Sequence, residues 1–148
     1  LGEGGFGIVY KGTLGGKVVA VKELTLQSGQ TLDENLFKEF QIEAYVQGLM
    51  DHPNCVKLYG LTSKPPRMVL EFVSGGDLCH KVLHVQPKPT VETLPWARRL
   101  SIAWDIAKGL HHMQTRDPPI VHRDLRSPNI FMTKSGKAYI GDFGLSRV

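Results

Sequence analysis

The chain has 148 residues, which suits one ordinary domain and leaves little room for two. Hydrophobic residues make up 41% of it and charged residues 22%, so the composition excludes a disordered tail, a collagen and a coiled coil. The formal net charge of +4 comes from scattered basic residues, so we expect no nucleic-acid partner.

The sequence also argues against a membrane or secretory protein. Its uncharged stretches are short and interrupted by glycine or proline, so no membrane-spanning helix is predicted. The first residues have neither the basic start nor the apolar core of a signal peptide. Cys55 and Cys79 are too few for a disulfide framework, which indicates reduced thiols and a cytoplasmic location. Because the chain lacks an initiator Met, we expect it to begin within a longer protein.

In the first half, short β-rich runs are combined with one helix. Two such runs on either side of a glycine turn at residues 12–16 predict a hairpin. Asp33 and Glu34 favour the start of a helix over residues 32–50, which Pro53 and its neighbours end. The predicted strands of this half lie at residues 8–10, 18–21, 56–61 and 68–72.

The second half is predicted to be mostly helical. Asp77 suits the N-cap of a short helix over residues 77–83, and a loop follows at residues 86–93. A long helix is predicted over residues 96–114, with Trp96 and Trp104 as core residues. Its apolar repeat consists of Trp96, Leu100, Ala103, Ala107 and Leu110. Short strands are predicted at residues 120–121, 130–132 and 138–140.

A glycine-rich run near the N-terminus is the first motif that indicates chemistry. Gly2, Gly4 and Gly7 have the spacing that lets backbone N–H groups approach phosphate oxygens. The β-branched Ile8 and Val9 indicate that a strand follows, which favours a strand–loop–strand cover over a nucleotide. The alternatives are a dinucleotide-binding turn, which would open a helix instead, and a plain glycine-rich hairpin.

The second motif is a lysine at the end of an apolar strand. Lys22 follows Val19, Ala20 and Val21, and a charge at that place needs an anion. Lys22 is therefore a candidate for holding the α- and β-phosphates of a nucleotide, with Glu43 of the predicted helix as the carboxylate that orients it. A simple surface lysine is the alternative.

Two further motifs contain acidic residues in loops. Asp124 and Asn129 lie five residues apart, and Asp142 is followed by Phe143 and Gly144. Asp124 is a candidate base that accepts the proton of a substrate hydroxyl, and Asn129 a candidate Mg²⁺ ligand that also orients Asp124. Asp142 is a second candidate ligand, because Mg²⁺ prefers oxygen donors.

These four motifs, in this order, resemble those of the eukaryotic protein kinase family, and the resemblance extends over all 148 residues. It implies an α+β, two-lobed protein kinase fold that uses ATP and Mg²⁺ and acts on protein substrates. An N-terminal lobe of antiparallel sheet plus one helix would comprise residues 1–73. A helical C-terminal lobe would comprise residues 74–148 and would be truncated after the Asp142 motif, so we expect the chain alone to have little transfer activity.

The resemblance also implies roles for individual residues. Leu70 would precede the hinge between the lobes, Phe131 would lie beneath the adenine base, and His122 and Phe143 would belong to a regulatory stack. The implied catalytic residues are Lys22, Glu43, Asp124, Asn129 and Asp142, the last two as metal ligands. The implied nucleotide contacts are Leu1, Gly2, Glu3, Gly4, Gly5, Phe6, Gly7, Ile8, Val9, Ala20, Lys22, Leu70, Glu71, Val73 and Phe131.

Residues 51–60, 66–73 and 118–131 are similar to tyrosine-kinase-like kinases, and above all to the Roco group, the relatives of leucine-rich-repeat kinases. That group phosphorylates serine and threonine and has a GTPase module, Roc, in the same polypeptide. The resemblance therefore implies a fragment of a larger signalling protein.

Two departures from the family pattern leave alternatives open. Arg126 stands where serine/threonine kinases usually have a lysine, which keeps tyrosine or dual specificity open. Gln47 replaces an apolar residue of the regulatory stack and needs a hydrogen-bond partner, which keeps a nucleotide-binding pseudokinase scaffold open.

The histidines are interpreted as ordinary solvent-facing or helix-end residues, because their spacing to the cysteines does not match a metal site. The four residues concerned are His80, His84, His111 and His112. Cys79 is interpreted as a small hydrophobic residue rather than as a reactive thiol.

Overall fold

A five-stranded antiparallel sheet forms in the first half of the chain. The computed structural model describes residues 2–4, 7–24 and 34–148. The spatial order of the strands is β1-β2-β3-β5-β4. Their bounds are Gly2–Gly4 for β1, Gly7–Leu14 for β2, Lys17–Glu23 for β3, Leu58–Ser63 for β4 and Pro66–Glu71 for β5.

The register of the sheet puts the predicted nucleotide contacts on one of its faces. Val9 pairs with Lys22, and Ala20 pairs with Leu70. Directly opposed residues share a face, as do residues two apart along a strand. Val9, Lys22, Ala20 and Leu70 therefore project from the same side, together with Met68 opposite Lys22. We call this side the cleft face.

The predicted strands of the first half are confirmed, with shifted boundaries, but the strand predicted at residues 120–121 is wrong, because Val121 forms an isolated bridge with Arg147 instead. The β2–β3 turn is limited to Gly15 and Gly16, because β2 continues through Leu14. Strand β4 begins at Leu58 rather than at residue 56. The Val56 N–H donates instead to the carbonyl of Ile140 in the second half of the chain, at 2.8 Å, so Val56 is not available to β5.

Helix α1, Glu34–Gly48, packs on the cleft face. Phe40 and Ala44 are buried against Leu24 and Met68 in one apolar cluster. The predicted start at residue 32 lies outside the described residues. The helix ends two residues before the predicted end, where the Met50 N–H closes a tighter turn on the Gln47 carbonyl at 3.1 Å.

Helices and a small sheet form the second half. A π-helix spans Cys79–Leu83, α2 spans Trp96–Gln114 as predicted, and a 3₁₀ turn spans Ser127–Asn129. Strands β6 (Ile130–Met132) and β7 (Ala138–Ile140) pair antiparallel. The main core lies between α2 and these strands and includes Ile102, Met113, Ile120, Ile140 and Phe143.

The orientation predicted for α2 is wrong. Trp96 and Trp104, expected in the core, are 64% and 67% exposed. They lie on the outer side of α2, which we define by Trp96, Leu100, Ala103, Trp104 and Ala107, all exposed. The buried side consists of Ile102, Asp105, Gly109 and Met113.

Contacts with β7 explain this orientation. The Asp105 Oδ2 atom accepts a hydrogen bond from the Ala138 N–H at 3.0 Å, so a buried donor has its partner. A Cβ atom on Gly109 would lie 2.8 Å from the Ile140 Cδ1 atom, so only a glycine lets helix and strand approach this closely. The side that complements β7 is the buried one, and the half-buried Ile106 and Leu110 extend its apolar contact with the core.

The segment that follows β5 is joined to β6 by backbone hydrogen bonds. The Gly75 N–H donates to the Met132 carbonyl, and the Met132 N–H donates to the Gly76 carbonyl, both at 2.7 Å. Asp77 and Phe131 form an isolated bridge beside them. Within the described ranges, no helix is long and apolar enough to cross a membrane.

Candidate active site

Lys22 and Glu43 form a close ion pair between β3 and α1. The Lys22 Nζ atom lies 2.6 Å from Glu43 Oε1 and 2.7 Å from Glu43 Oε2. Their side chains are only 12% and 4% exposed. The sheet register directs Lys22 toward the helix, and the turns of α1 place Glu43 opposite it, so the structure brings together the two residues that the sequence pairs.

Burial raises the pKa of the Glu43 carboxyl above its ordinary value. The Lys22 ammonium acts in the opposite direction, while the negative charge of Asp142 adds to the rise. The contact with Lys22 therefore stabilises the ionised form of the Glu43 carboxyl against the effect of burial.

Asp142 approaches the same lysine from the loop after β7. Its Oδ1 atom lies 3.9 Å from the Lys22 Nζ atom, and its side chain is 45% exposed. The residue has a φ of 57°, in the left-handed region that non-glycine residues seldom adopt. This backbone turn lets an acidic side chain reach the cleft while the next residue, Phe143, stays fully buried.

Asp124 is held by Asn129 in the loop before β6. The Asn129 Nδ2 group donates to the Asp124 Oδ2 atom at 2.8 Å and to the Asp124 carbonyl at 2.9 Å. Arg126 places its Nε atom 3.3 Å from the same Oδ2 atom. Asn129 is buried in the 3₁₀ turn, so the orientation of Asp124 is determined by a well-packed neighbour.

His122 connects the two acidic loops. Its Nδ1 atom accepts the Asp124 N–H at 3.3 Å, so Nε2 bears the proton and donates to the Gly141 carbonyl at 3.1 Å. Burial lowers the pKa of His122, although the Gly141 carbonyl and both acidic side chains favour its charged form. The Gly141 N–H also donates to the Asn129 carbonyl at 2.9 Å, so the loops are joined twice.

Comparison with known proteins agrees with this geometry. A family model described as protein tyrosine and serine/threonine kinase matches residues 1–148. The chain is 41% identical to the probable serine/threonine-protein kinases qkgA and roco11 of Dictyostelium discoideum, and each alignment covers 99% of the chain. It is 40% identical over its whole length to the serine/threonine-protein kinase CTR1 of Arabidopsis thaliana.

The chain belongs to the protein kinase family. The family expected from the motifs is thereby confirmed, and so is the α+β fold. The chain spans only 11%, 10% and 18% of the lengths of these three relatives, so it corresponds to one part of much longer proteins.

Four of the residues predicted as nucleotide contacts are half-buried in β2, β3, β5 and β6. Val9, Ala20 and Leu70 are half-buried on the cleft face, and Phe131 is half-buried in β6. Gly7 has a φ of 137°, and a Cβ atom there would overlap the Glu23 carbonyl, so this position requires glycine. Ile8, on the strand's other side, is exposed.

Part of the glycine-rich motif cannot be compared with the structure. Leu1, Gly5 and Phe6 lie outside the described residues, and Gly2, Glu3 and Gly4 are described only as backbone in β1. In the hinge, the Glu71 N–H already donates to the Lys57 carbonyl at 2.8 Å, and Val73 is buried.

Gln47 has the hydrogen-bond partner that the sequence called for. Its side chain is 2% exposed, and its Nε2 group donates to the Val56 carbonyl. The rings of His122 and Phe143, the other residues expected in the stack, are in contact, with centroids 5.2 Å apart. The polar replacement is thus accommodated within a buried, hydrogen-bonded position.

Sequence reasoning missed two polar features. Asp105 was not predicted as a buried residue, because the apolar repeat indicates the opposite side of α2. The signal that could have identified it is a single carboxylate between apolar helix residues. His80 is exposed, as the sequence predicted, but its proximity to Asp77 and Cys79 was not predicted.

Proposed function

We propose that the protein containing this chain transfers the γ-phosphoryl group of ATP to serine or threonine hydroxyls of other proteins. One observation supports this above all: the Lys22–Glu43 pair faces Asp142 across 3.9 Å, while Asp124 is held in place by Asn129. Phosphoryl transfer depends mainly on positioning and charge neutralisation, and this arrangement supplies both.

The donor set fits Mg²⁺. Both hydrogen bonds of the Asn129 Nδ2 group are directed to Asp124, which leaves the amide Oδ1 atom as the one that can bind a cation. The half-exposed Asp142 adds a carboxylate, and amide and carboxylate oxygens are ligands that Mg²⁺ accepts. When bound, Mg²⁺ neutralises phosphate charge.

Each polar residue then has a separate role. Lys22 binds phosphate oxygens, and Glu43 keeps its ammonium in position. Asp124 accepts the proton of the attacking hydroxyl, in an orientation that Asn129 maintains. Arg126, beside Asp124, adds a positive charge where a phosphoryl group would be transferred.

Adenine would bind between the cleft face and β6. Val9, Ala20 and Leu70 offer an apolar surface, and Phe131 covers the other side of the base. Because the Glu71 N–H is already bonded to Lys57, Glu71 can contribute its carbonyl oxygen, and Val73 contributes backbone groups further along the hinge.

Serine/threonine specificity is supported by the relatives, which are named serine/threonine-protein kinases. Tyrosine or dual specificity is favoured by one observation, the arginine in place of lysine next to Asp124. Phosphoamino-acid analysis of the autophosphorylated full-length protein separates the two. Phosphoserine and phosphothreonine are expected, and phosphotyrosine as the main product would overturn the assignment.

The decisive test is Asp124→Asn in the full-length protein, with ATP turnover as the measurement. Removing one catalytic general base is expected to lower the transfer rate by about a hundredfold or more. Asp51→Asn, which alters a carboxylate that is 84% exposed, is the control and should leave turnover unchanged. Equal turnover in wild type and Asp124→Asn would remove the proposed base.

A nucleotide-binding pseudokinase scaffold is the competing function. Its support was Gln47, whose need for a buried hydrogen-bond partner is met by the Val56 carbonyl. The full-length protein, by the names and lengths of its relatives, would contain further domains, with a Roc GTPase module among the candidates. Both cysteines are free and buried, which suits a reducing, cytoplasmic setting for a signalling protein.

A further inference from the structure

Three metal-binding side chains, Asp77, Cys79 and His80, come together at the start of the π-helix after the hinge, and His84 lies next to Cys79. One donor atom each from Asp77, Cys79 and His80 lies within 4.8 Å of the other two. The Asp77 Oδ1 atom is 2.9 Å from the His80 Nδ1 atom. A second histidine, His84, places its Nδ1 atom 3.8 Å from the Cys79 Sγ atom.

The π-helix explains why the sequence spacing of these residues does not indicate that they lie close together. In an α-helix each residue turns by about 100°, so residues five apart point about 140° away from each other. Here the His84 N–H donates to the Cys79 carbonyl at 2.8 Å, which is the wider i to i+5 turn of a π-helix. That turn brings Cys79 and His84 to the same side.

The donor types select the metal. A thiolate, two imidazoles and a carboxylate are the ligands of Zn²⁺ sites, whereas Mg²⁺ takes oxygen ligands. With Zn–S near 2.3 Å and Zn–N near 2.0 Å, tetrahedral donors lie roughly 3.3 to 3.6 Å apart. The 2.9 Å and 3.8 Å separations fall on either side of that range.

The burial of the donors also suits a metal site. Cys79 is 8% exposed and is therefore shielded from solvent, while the Asp77 side chain is 23% exposed. The His80 side chain is 68% exposed, so it can change rotamer to close the remaining gap. Such a site is anchored by a packed thiol and completed by a mobile imidazole.

We propose that Asp77, Cys79, His80 and His84 form a Zn²⁺ site at the helix that follows the hinge. The site is separate from Asn129 and Asp142 and does not depend on the proposed phosphoryl transfer. Metal binding moves one proton from the Cys79 thiol to solvent, because the thiolate is the ligand.

Zinc at this place would stabilise the contact between the hinge segment and β6. Asp77 is bridged to Phe131, and the preceding Gly75 and Gly76 share backbone hydrogen bonds with Met132. A metal that binds only the folded protein stabilises it in proportion to its occupancy. We therefore expect Zn²⁺ to raise the melting temperature of the wild-type protein by more than that of Cys79→Ser.

The test uses the full-length protein, reduced and stripped of metal, with Co²⁺ and Zn²⁺ as probes. Wild type should bind Co²⁺ with a thiolate-to-cobalt charge-transfer band that Zn²⁺ abolishes. The band should be lost in Cys79→Ser and retained in Cys55→Ala, the control for the other thiol. Competition with a chromophoric chelator should show Zn²⁺ affinity lowered by about tenfold or more in Cys79→Ser.

Two histidine variants keep the proposal testable if Cys79→Ser fails to fold. His80→Gln and His84→Gln alter exposed side chains and should each weaken Zn²⁺ binding, whereas His111→Gln, at the exposed end of α2, should not. A cobalt spectrum without a thiolate band in wild type would overturn the site. Equal Zn²⁺ affinity in wild type and both variants would overturn it as well.

Discussion

The cleft face of the sheet and the outer side of α2 are both recognisable in the sequence, but only the first has the orientation that the pattern predicts. On the cleft face, strand alternation and a charged residue that needs a partner agree, and Lys22 meets Glu43. On α2, most of the apolar repeat is exposed, with only Leu110 half-buried, and a side with Asp105 and Gly109 is buried. Apolar periodicity locates a helix, whereas complementarity with its neighbour decides which side is buried.

The largest effect is expected at the cleft face, where Lys22 and Glu43 form a buried ion pair. Glu43→Gln keeps the shape of the side chain but removes the partner of a buried cation. Breaking a buried ion pair in this way costs about 3 to 5 kcal/mol of stability. A displaced lysine should also lower the rate of ATP turnover by about a hundredfold. Unfolding and turnover of the full-length variant measure the two effects.

Glu39→Gln is the matched control, because Glu39 is exposed one turn earlier on the same helix. It should leave both measurements within error of wild type. A Glu43→Gln protein with wild-type turnover would show that the ion pair does not position Lys22.

The next largest effect concerns the buried side of α2. In Gly109→Ala, the added Cβ atom would lie 2.8 Å from Ile140 Cδ1 and 3.1 Å from the Asn54 carbonyl oxygen. We expect a loss of about 1 to 3 kcal/mol in the free energy of unfolding, measured by urea denaturation.

Gly48→Ala provides the opposite case at the end of α1. A Cβ atom there would meet only the Leu58 Cδ2 atom, at an ordinary 3.7 Å. Alanine is the better helix former, so stability should rise, by at most about 1 kcal/mol. Destabilisation of the same size in both variants would contradict the close approach of α2 to β7.

A pH-dependent effect is expected at His122, which connects the two acidic loops of the candidate site. Burial lowers the pKa of His122 in the folded protein below the ordinary 6.5, so the unfolded chain binds its proton more readily. The free energy of unfolding should therefore be constant above about pH 7 and decrease as the pH falls below the ordinary histidine value.

Urea denaturation midpoints over that acidic range measure the slope. His122→Asn should make it shallower, even if the variant is less stable at every pH. An unchanged slope in the variant would assign the pH dependence to other residues, such as His52 and His112, whose pKa values burial also lowers.

The smallest effect is expected on the outer side of α2. In the 148-residue chain, Trp104→Gln should change the free energy of unfolding by no more than about 0.5 kcal/mol, because the ring is already in contact with solvent. Ile102→Ala, two residues earlier but buried, should cost about 2 to 5 kcal/mol. Strong quenching of the fluorescence of both tryptophans by acrylamide would agree, and a shielded Trp104 would contradict this orientation.

Much of the fold could be predicted from local pattern. The bounds of α2 agree with the prediction, and the β2–β3 hairpin was located from its glycines and β-branched residues. The start of β4 shifted because Val56 hydrogen-bonds to the distant Ile140, and the end of α1 shifted because a tighter turn closes between Met50 and Gln47.

The motif residues could be predicted from the sequence, because charged side chains at such positions need partners. A lysine at the end of an apolar strand needs a carboxylate, and acidic residues in short loops need cations or donors. The contact of Cys79 with His84 was missed, because residues five apart share a side only with the wider turn of a π-helix.

The amino-acid sequence by itself determined the family, the order of the motifs and the pairing of Lys22 with Glu43, because each follows from spacing and from charges that require partners. The tertiary structure alone decided which side of α2 is buried and how the cluster after the hinge converges. Those features depend on the contact of Gly109 and Asp105 with β7, and on a helix turn that residue propensities do not specify.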